Sequence, residues 1–282
     1  MKKRLLVVDG SNLLFQMFFG MPARITNQKG EAIQGVLGFV GALLKILRMV
    51  KPTHAVVLFD CECPNERREL SADYKANRPD YDEMSEDENP FTQLPAIYAA
   101  LDFLGMPHTE VTCGETDDAV AAYALTYGAE AEVVISSFDS DFFQLITEQV
   151  SILRYRGDQS VVIDPTAFTK KFGILPSQYA DYKSLTGDTA DNIKGADKIG
   201  PKTAAALMRQ FGSLEALLAN TEHIPKPSVR ASVEASADRL RLNYRLIKLQ
   251  NTAPIPFALE QLPYTDNRKT TTEVLSAIGV KP

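Results

Sequence analysis

Nine carboxylates of the 282-residue chain fall into five short groups: Asp9; Asp60; Glu115, Asp117 and Asp118; Asp139 and Asp141; Asp188 and Asp191. Gathered in one place, they would repel and raise one another's affinity for protons. Hard divalent cations relieve that repulsion, and magnesium and manganese prefer oxygen ligands. Two such ions about 4 Å apart can clamp an in-line displacement at phosphorus, one activating water and the other stabilising the leaving oxygen. Taken singly, each acid has an ordinary reading. An aspartate after a strand caps a turn or helix, and Glu115, Asp117 and Asp118 suit the first turn of a helix. Only the five groups together point to a metal centre.

A second signal runs from Asn192 to Thr203, reading Asn-Ile-Lys-Gly-Ala-Asp-Lys-Ile-Gly-Pro-Lys-Thr. A loop bounded by Gly195 and Gly200 leads to a helix whose first N–H groups are flanked by Lys198 and Lys202. Such a terminus suits a backbone phosphate, which means DNA binding without base readout. The plainer reading is a helix pair with surface lysines.

The elements that must position these residues follow from pattern. Arg4–Val8, Ala55–Phe59 and Glu132–Ser136 are continuous apolar runs, each followed by acids, and read as strands buried on both faces. Helical spacing covers Val36–Val50, Leu94–Leu104 and Asp117–Tyr127. Alternation of this kind predicts an α/β fold, a mostly parallel twisted sheet covered by helices. Its strand carboxyl ends line one crevice. Asn65 to Asn89 is long and polar, basic first and acidic later, and predicts a functional arch at about 65–90. Helices are expected over Gln178–Leu185, Pro201–Phe211 and Ser228–Leu249. The expected organisation is an α/β domain over 1–170 and a helical DNA-binding subdomain over 171–282, with the hairpin at about 178–212.

Bulk properties exclude little. The net charge of -6 argues against DNA, but setting aside the nine acids leaves the remainder at +3. Cys61, Cys63 and Cys113 are an odd, sparse set, unlike a secreted disulfide framework, and with three histidines they make a poor zinc site. The apolar run after Met1 stops at Asp9, too soon for a signal peptide, and no run spans a membrane. A cytoplasmic protein is expected.

The motifs resemble those of the bacterial and bacteriophage 5′ nucleases, which include the 5′–3′ exonuclease domain of DNA polymerase I and the flap endonucleases. The resemblance rests on Val8-Asp9-Gly10-Ser11-Asn12, on Phe59-Asp60 with Arg67, Tyr74-Lys75 and Arg78-Pro79, and on Glu115-Thr116-Asp117-Asp118. It also rests on Gly187-Asp188-Thr189-Ala190-Asp191-Asn192-Ile193 with the hairpin behind it. It covers about residues 4 to 250.

It implies a resolvase-like or PIN-like domain, a helix–three-turn–helix and a monomeric 5′–3′ exonuclease and 5′-flap endonuclease. The implied substrate is DNA with a 5′ flap, nick or end. All nine acids become metal ligands for about two Mg²⁺ ions, replaceable by Mn²⁺. Asp60 and Asp117, with Lys75 and Arg78, form the implied catalytic set. Arg67, Tyr74, Lys75, Arg78, Gly195, Lys198, Gly200, Lys202 and Thr203 are the implied DNA contacts, Tyr74 by stacking on a base. A potassium ion at the hairpin is a further implication.

Three features depart from the pattern. Phe138 stands where glycine is usual, Asp197 adds a negative charge to the hairpin, and the arch turns acidic after Arg78. The chain stops at Pro282, so a stand-alone form is expected. Two alternatives are a structure-specific DNA-binding protein with weak or lost catalysis, and a PIN-type ribonuclease.

Overall fold

The computed structural model describes residues 3–21, 24–61, 66–79, 81, 84–85, 87–112, 114–250 and 253–280. Cys63 and Cys113, and the arch acids Asp80, Asp82, Glu83 and Glu86, lie outside the described residues.

Six strands form one sheet: β1 (Arg4–Asp9), β2 (His54–Asp60), β3 (His108–Val111), β4 (Glu132–Ser136), β5 (Val150–Arg154) and β6 (Val161–Ile163). Their order is β3-β2-β1-β4-β5-β6, parallel throughout except for antiparallel β6 at the edge. Strand side chains alternate in direction. Leu5, Val7, Val56, Leu58, Val133 and Ile135 therefore enter one core, and Leu6, Val8, Val57, Phe59 and Val134 enter the other. Burial on both faces is why these strands are apolar without interruption.

Helices α1 (Gly10–Gly20), α2 (Gln34–Val50) and α4 (Leu94–Leu104) pack on one face; α3 (Glu66–Leu70) follows β2, and α5 (Thr116–Tyr127) covers the other face. The turn chemistry of Asp9-Gly10-Ser11-Asn12 hides α1 from the sequence. Asp9 is in fact its N-cap, accepting from the Asn12 N–H at 3.0 Å. Gly10 is required there because a Cβ would come within 2.6 Å of the Phe59 ring.

The helical region holds α6 (Pro165–Phe172), α7 (Tyr179–Thr186), α8 (Pro201–Phe211), α9 (Leu214–Ala219), α10 (Pro227–Ala235) and α11 (Ala237–Ile247). A two-stranded ribbon, β7 (Gly187–Asp188) and β8 (Ile193–Lys194), sits between α7 and α8. The single helix expected over Ser228–Leu249 is two helices, broken at buried Ser236. The last segment returns to the sheet. Leu262 O accepts from Ala55 N, Tyr264 N donates to Thr53 O, and α12 (Thr271–Ala277) packs Val274 and Leu275 into the α2 core. In packing terms the helical region thus ends near residue 250, short of 282.

Candidate metal centre

Parallel strands point their carboxyl ends the same way, so Asp9, Asp60 and the turn after β4 meet at one edge of the sheet. Asp9 is buried, one carboxylate oxygen capping α1 and the other accepting from Ser137 Oγ at 2.8 Å. Burial, with Asp60 and Asp139 adding to it, pushes its carboxyl up to about 7. Ser137 Oγ also accepts from Asp139 N at 3.0 Å, and Asp139 Oδ1 accepts from Asp141 N at 2.7 Å. The turn therefore holds its own acids in place. Asp117, on the first turn of α5, is raised well above the carboxylate range by burial and then by Asp139, Glu115 and Asp60, against the opposing charge of Lys75.

The tightest group is Asp141, Asp188 and Asp191, each offering an oxygen within 4.8 Å of the others. Asp188 and Asp191, three apart just after the helix that ends at Thr186, face the same way from on and beside the β7–β8 ribbon. Lys183 of α7 reaches into this group. Its Nζ pairs with Asp141 and lies 2.5 Å from Asp188 Oδ2. Burial pushes the Asp141 carboxyl up to about 7, and Lys183 offsets part of that rise. Burial alone would lower the Lys183 ammonium, but Asp141, Asp139 and Asp188 outweigh it and hold the group protonated. Sequence reasoning missed Lys183. Only the fold reveals it: every residue from Tyr179 to Leu185 is buried, and a buried lysine has to be paired.

The arch residues take unexpected positions. Arg67 is 5% exposed and binds Glu115 through Nη1 and Asp118 through Nη2. It organises carboxylates from a buried position. Asp118 also accepts from Gln250 N at 2.8 Å, so it joins α5 to α3 and the chain beyond α11. Tyr74 is 3% exposed, packed with Ala180, Ile193, Leu246 and Ile247, with its hydroxyl 3.2 Å from Glu115. Its ring, expected to stack on a base, is instead packed into a small apolar core in this structure. Lys75, at φ 55°, points into the acids and bonds Glu115 Oε1 at 2.8 Å. Arg78 pairs with Asp191 at 3.0 Å while half its side chain stays exposed.

The hairpin is built on close approach. Gly195 lies against the end of α7, where a Cβ would clash with the Leu185 carbonyl, whereas Gly200 has open space around it. No side chain caps α8 at Gly200, Lys198 and Lys202 are exposed, and Thr203 is half-buried on the first turn. Asp197 leans towards Lys194 at 3.4 Å on the exposed surface.

The donor set is entirely carboxylate oxygen, which fits hard divalent cations and excludes a thiolate-type site. Burial of so many acids, with protonation favoured at Asp9, Asp117, Asp141 and Asp191, is the signature of a site completed by positive charge. Lys75, Arg78 and Lys183 supply part of it from the chain itself.

Two protein-family models match the chain: the 5′-3′ exonuclease N-terminal resolvase-like domain over residues 4–173, and the 5′-3′ exonuclease C-terminal SAM fold over 174–270. The chain is 36% identical over 255 residues to thermostable DNA polymerase I of Thermus aquaticus, covering 90% of this chain and 29% of the polymerase. It thus spans about three-tenths of the polymerase relatives that it matches. It is 32% identical over 261 residues to a 5′-3′ exonuclease of Aquifex aeolicus, covering 92% of this chain and 86% of the relative. The fold matches the bacteriophage T5 D15 flap endonuclease, solved with DNA and metal ions, at TM-score 0.70 and 23% identity over 87% of this chain and 89% of that one. With a resolvase-like sheet, a helical SAM-fold region and a full set of acids at the strand ends, this chain belongs to the 5′-3′ exonuclease family.

Proposed function

We propose that the chain is a divalent-metal-dependent nuclease that hydrolyses DNA phosphodiesters from 5′ ends, nicks and 5′ flaps. The observation that carries this reading is the gathering of acids from separate segments at the strand ends of the sheet and the ribbon beside them, with Asp9, Asp141 and Asp191 buried and Asp9, Asp117 and Asp141 each raised by burial and by neighbouring acids. The relatives support it: one is named a 5′-3′ exonuclease, and one solved neighbour is a flap endonuclease with DNA and metal ions.

Asp141, Asp188 and Asp191 would hold one Mg²⁺ or Mn²⁺ ion, and Asp9, Asp60, Asp117 and Asp139 would serve a second. Glu115 and Asp118 complete the acidic set chiefly by holding Lys75 and Arg67. When bound, the ions supply water activation and stabilisation of the leaving oxygen. The chain's own groups do the rest. Lys75 and Arg78 now rest on Glu115 and Asp191, where a scissile phosphate can draw them and spread its developing charge over them. The uncapped start of α8, with Lys198, Lys202 and Thr203, binds the duplex backbone, and a potassium ion on hairpin carbonyls would add to that grip. The protein acts as a monomer in the cytoplasm; none of its described helices is long and apolar enough to cross a membrane.

The test is a labelled 5′-flap duplex with magnesium. Wild type should cut near the flap junction, and Asp117→Ala should cut about a thousandfold more slowly, consistent with loss of several kcal/mol of charge stabilisation. A wild type that binds the flap without cutting it would leave a binding protein only. Faster cutting of the matched RNA would favour a ribonuclease.

A further inference from the structure

The turn that carries Asp139 and Asp141 begins with Phe138, and behind Phe138 lies a second cavity of about 360 Å³. It is walled by the β5–β6 hairpin and α6, with Phe138, Val161 and Ile163 as its apolar surface and Arg154, Arg156 and Lys171 as its cations. No carboxylate lines it, in a chain whose net charge is -6. None of the three cations pairs with an acid among the described residues.

The guanidinium groups are arranged around an aromatic ring. Arg154 lies 5.6 Å from the centre of the Phe138 ring and 4.8 Å from that of Phe143, and Arg156 lies 5.0 Å from that of Phe138. Arg154 Nη2 donates to the Phe138 carbonyl at 2.7 Å, fixing one guanidinium to the residue just before Asp139. Its Nε is buried without a hydrogen-bond partner. Val161 is 54% exposed at the mouth. Holding an unpaired, half-buried guanidinium beside exposed apolar surface is costly, and a ligand both anionic and flat offsets both parts of that cost.

A nucleotide is such a ligand. Its base can stack on guanidinium and aromatic faces, and its phosphate can take the arginine and lysine. The cavity is concave and at the small end of ligand pockets, about 300–1,000 Å³, so it suits one unstacked nucleotide and not a duplex. Resting on the DNA reading above, we propose that this pocket holds one nucleotide of the substrate's single-stranded segment. The base lies against Phe138, Arg154 and Val161, and the phosphate lies on Arg156 and Lys171. Phe138, at the position where the related motif usually has glycine, then becomes a feature of strand capture beside the metal centre.

The test uses the full chain carrying Asp117→Ala, so that DNA is not cut, and compares it with the same chain also carrying Arg156→Ala and Lys171→Ala. Both added positions are exposed, so folding should survive, which the melting temperature checks. The probes are a fluorescent duplex with a six-nucleotide thymidine flap and the same duplex without a flap. Removing the two cations should weaken flap binding about tenfold and make the slope of log affinity against log salt shallower by about 1.4, at roughly 0.7 per single-strand contact. Affinity for the flapless duplex should stay within about twofold, as should that of a Lys170→Ala control on the same helix. A 5-iododeoxyuridine in the flap should crosslink to the peptide containing Phe138. Unchanged flap affinity and salt slope in the double variant would overturn the pocket, as would equal weakening on both duplexes. If wild type cuts the flap while the double variant binds like its parent, the pocket alone fails. If wild type neither binds nor cuts the flap, the nuclease reading and the pocket fail together.

Discussion

Lys183 puts an ammonium between Asp141 and Asp188, where a divalent ion would otherwise offset their repulsion. Lys183→Ala should therefore lower the melting temperature measured in a chelator by several degrees, since removing one partner of a buried pair costs roughly 3–5 kcal/mol. With saturating manganese the loss should shrink. An equal loss under both conditions would mean that the lysine only packs. Asp9 and Asp141 make a second residue-scale prediction. Their carboxyls sit at about 7 in the fold, mainly through burial, against an ordinary 3.8. The folded state then holds protons that the unfolded state has released, so their contribution is full below about 4 and is lost as the pH rises through 7. Without metal, the protein should melt higher at pH 5 than at pH 8; with metal, that order should weaken or reverse. A chelated protein that is more stable at pH 8 would contradict the burial of these acids. Seven of the nine acids were legible because each follows a strand run or opens a helix, and Asp188 and Asp191 because they stand three apart just after a helix. Arg67, Tyr74 and Lys183 were not legible in these roles, because a polar sequence context does not reveal that tertiary packing will bury a residue.

At the scale of elements, the strands that read correctly are those buried on both faces. β1, β2 and β4 are continuous apolar runs. β3 contains His108, Thr109 and Glu110, and β6 is three residues long at the sheet edge, so neither has a clear pattern of its own. α10 and α11 read as one helix because their periodicity continues across Ser236, whose backbone breaks it without proline or glycine. The hairpin glycines separate two physical reasons for one residue type. Gly195→Ala should destabilise by about 1–3 kcal/mol, because its Cβ meets backbone that cannot swing away. Gly200→Ala, with open space and an extended backbone, should cost at most about 1 kcal/mol. Urea unfolding of the two variants checks the ranking, and equal midpoints would contradict the close packing of ribbon and helix.

Across the whole molecule, net charge was a poor guide because charge is segregated. Nine acids are set aside for the metal centre, and the remainder carries +3. The same segregation separates the acidic crevice from the arginine-lined pocket beyond Phe138. The C-terminal segment closes back on the sheet through Leu262, Tyr264 and α12, so the frame that aligns the strand ends depends on both ends of the chain. On this reading the five groups of acids form one divalent-metal centre. Anomalous diffraction from a manganese-soaked crystal can locate the ions. One manganese peak should appear among Asp141, Asp188 and Asp191 and another among Asp9, Asp60, Asp117 and Asp139, with Lys183 withdrawn from Asp188. No peak within reach of these carboxylates at saturating manganese would contradict it.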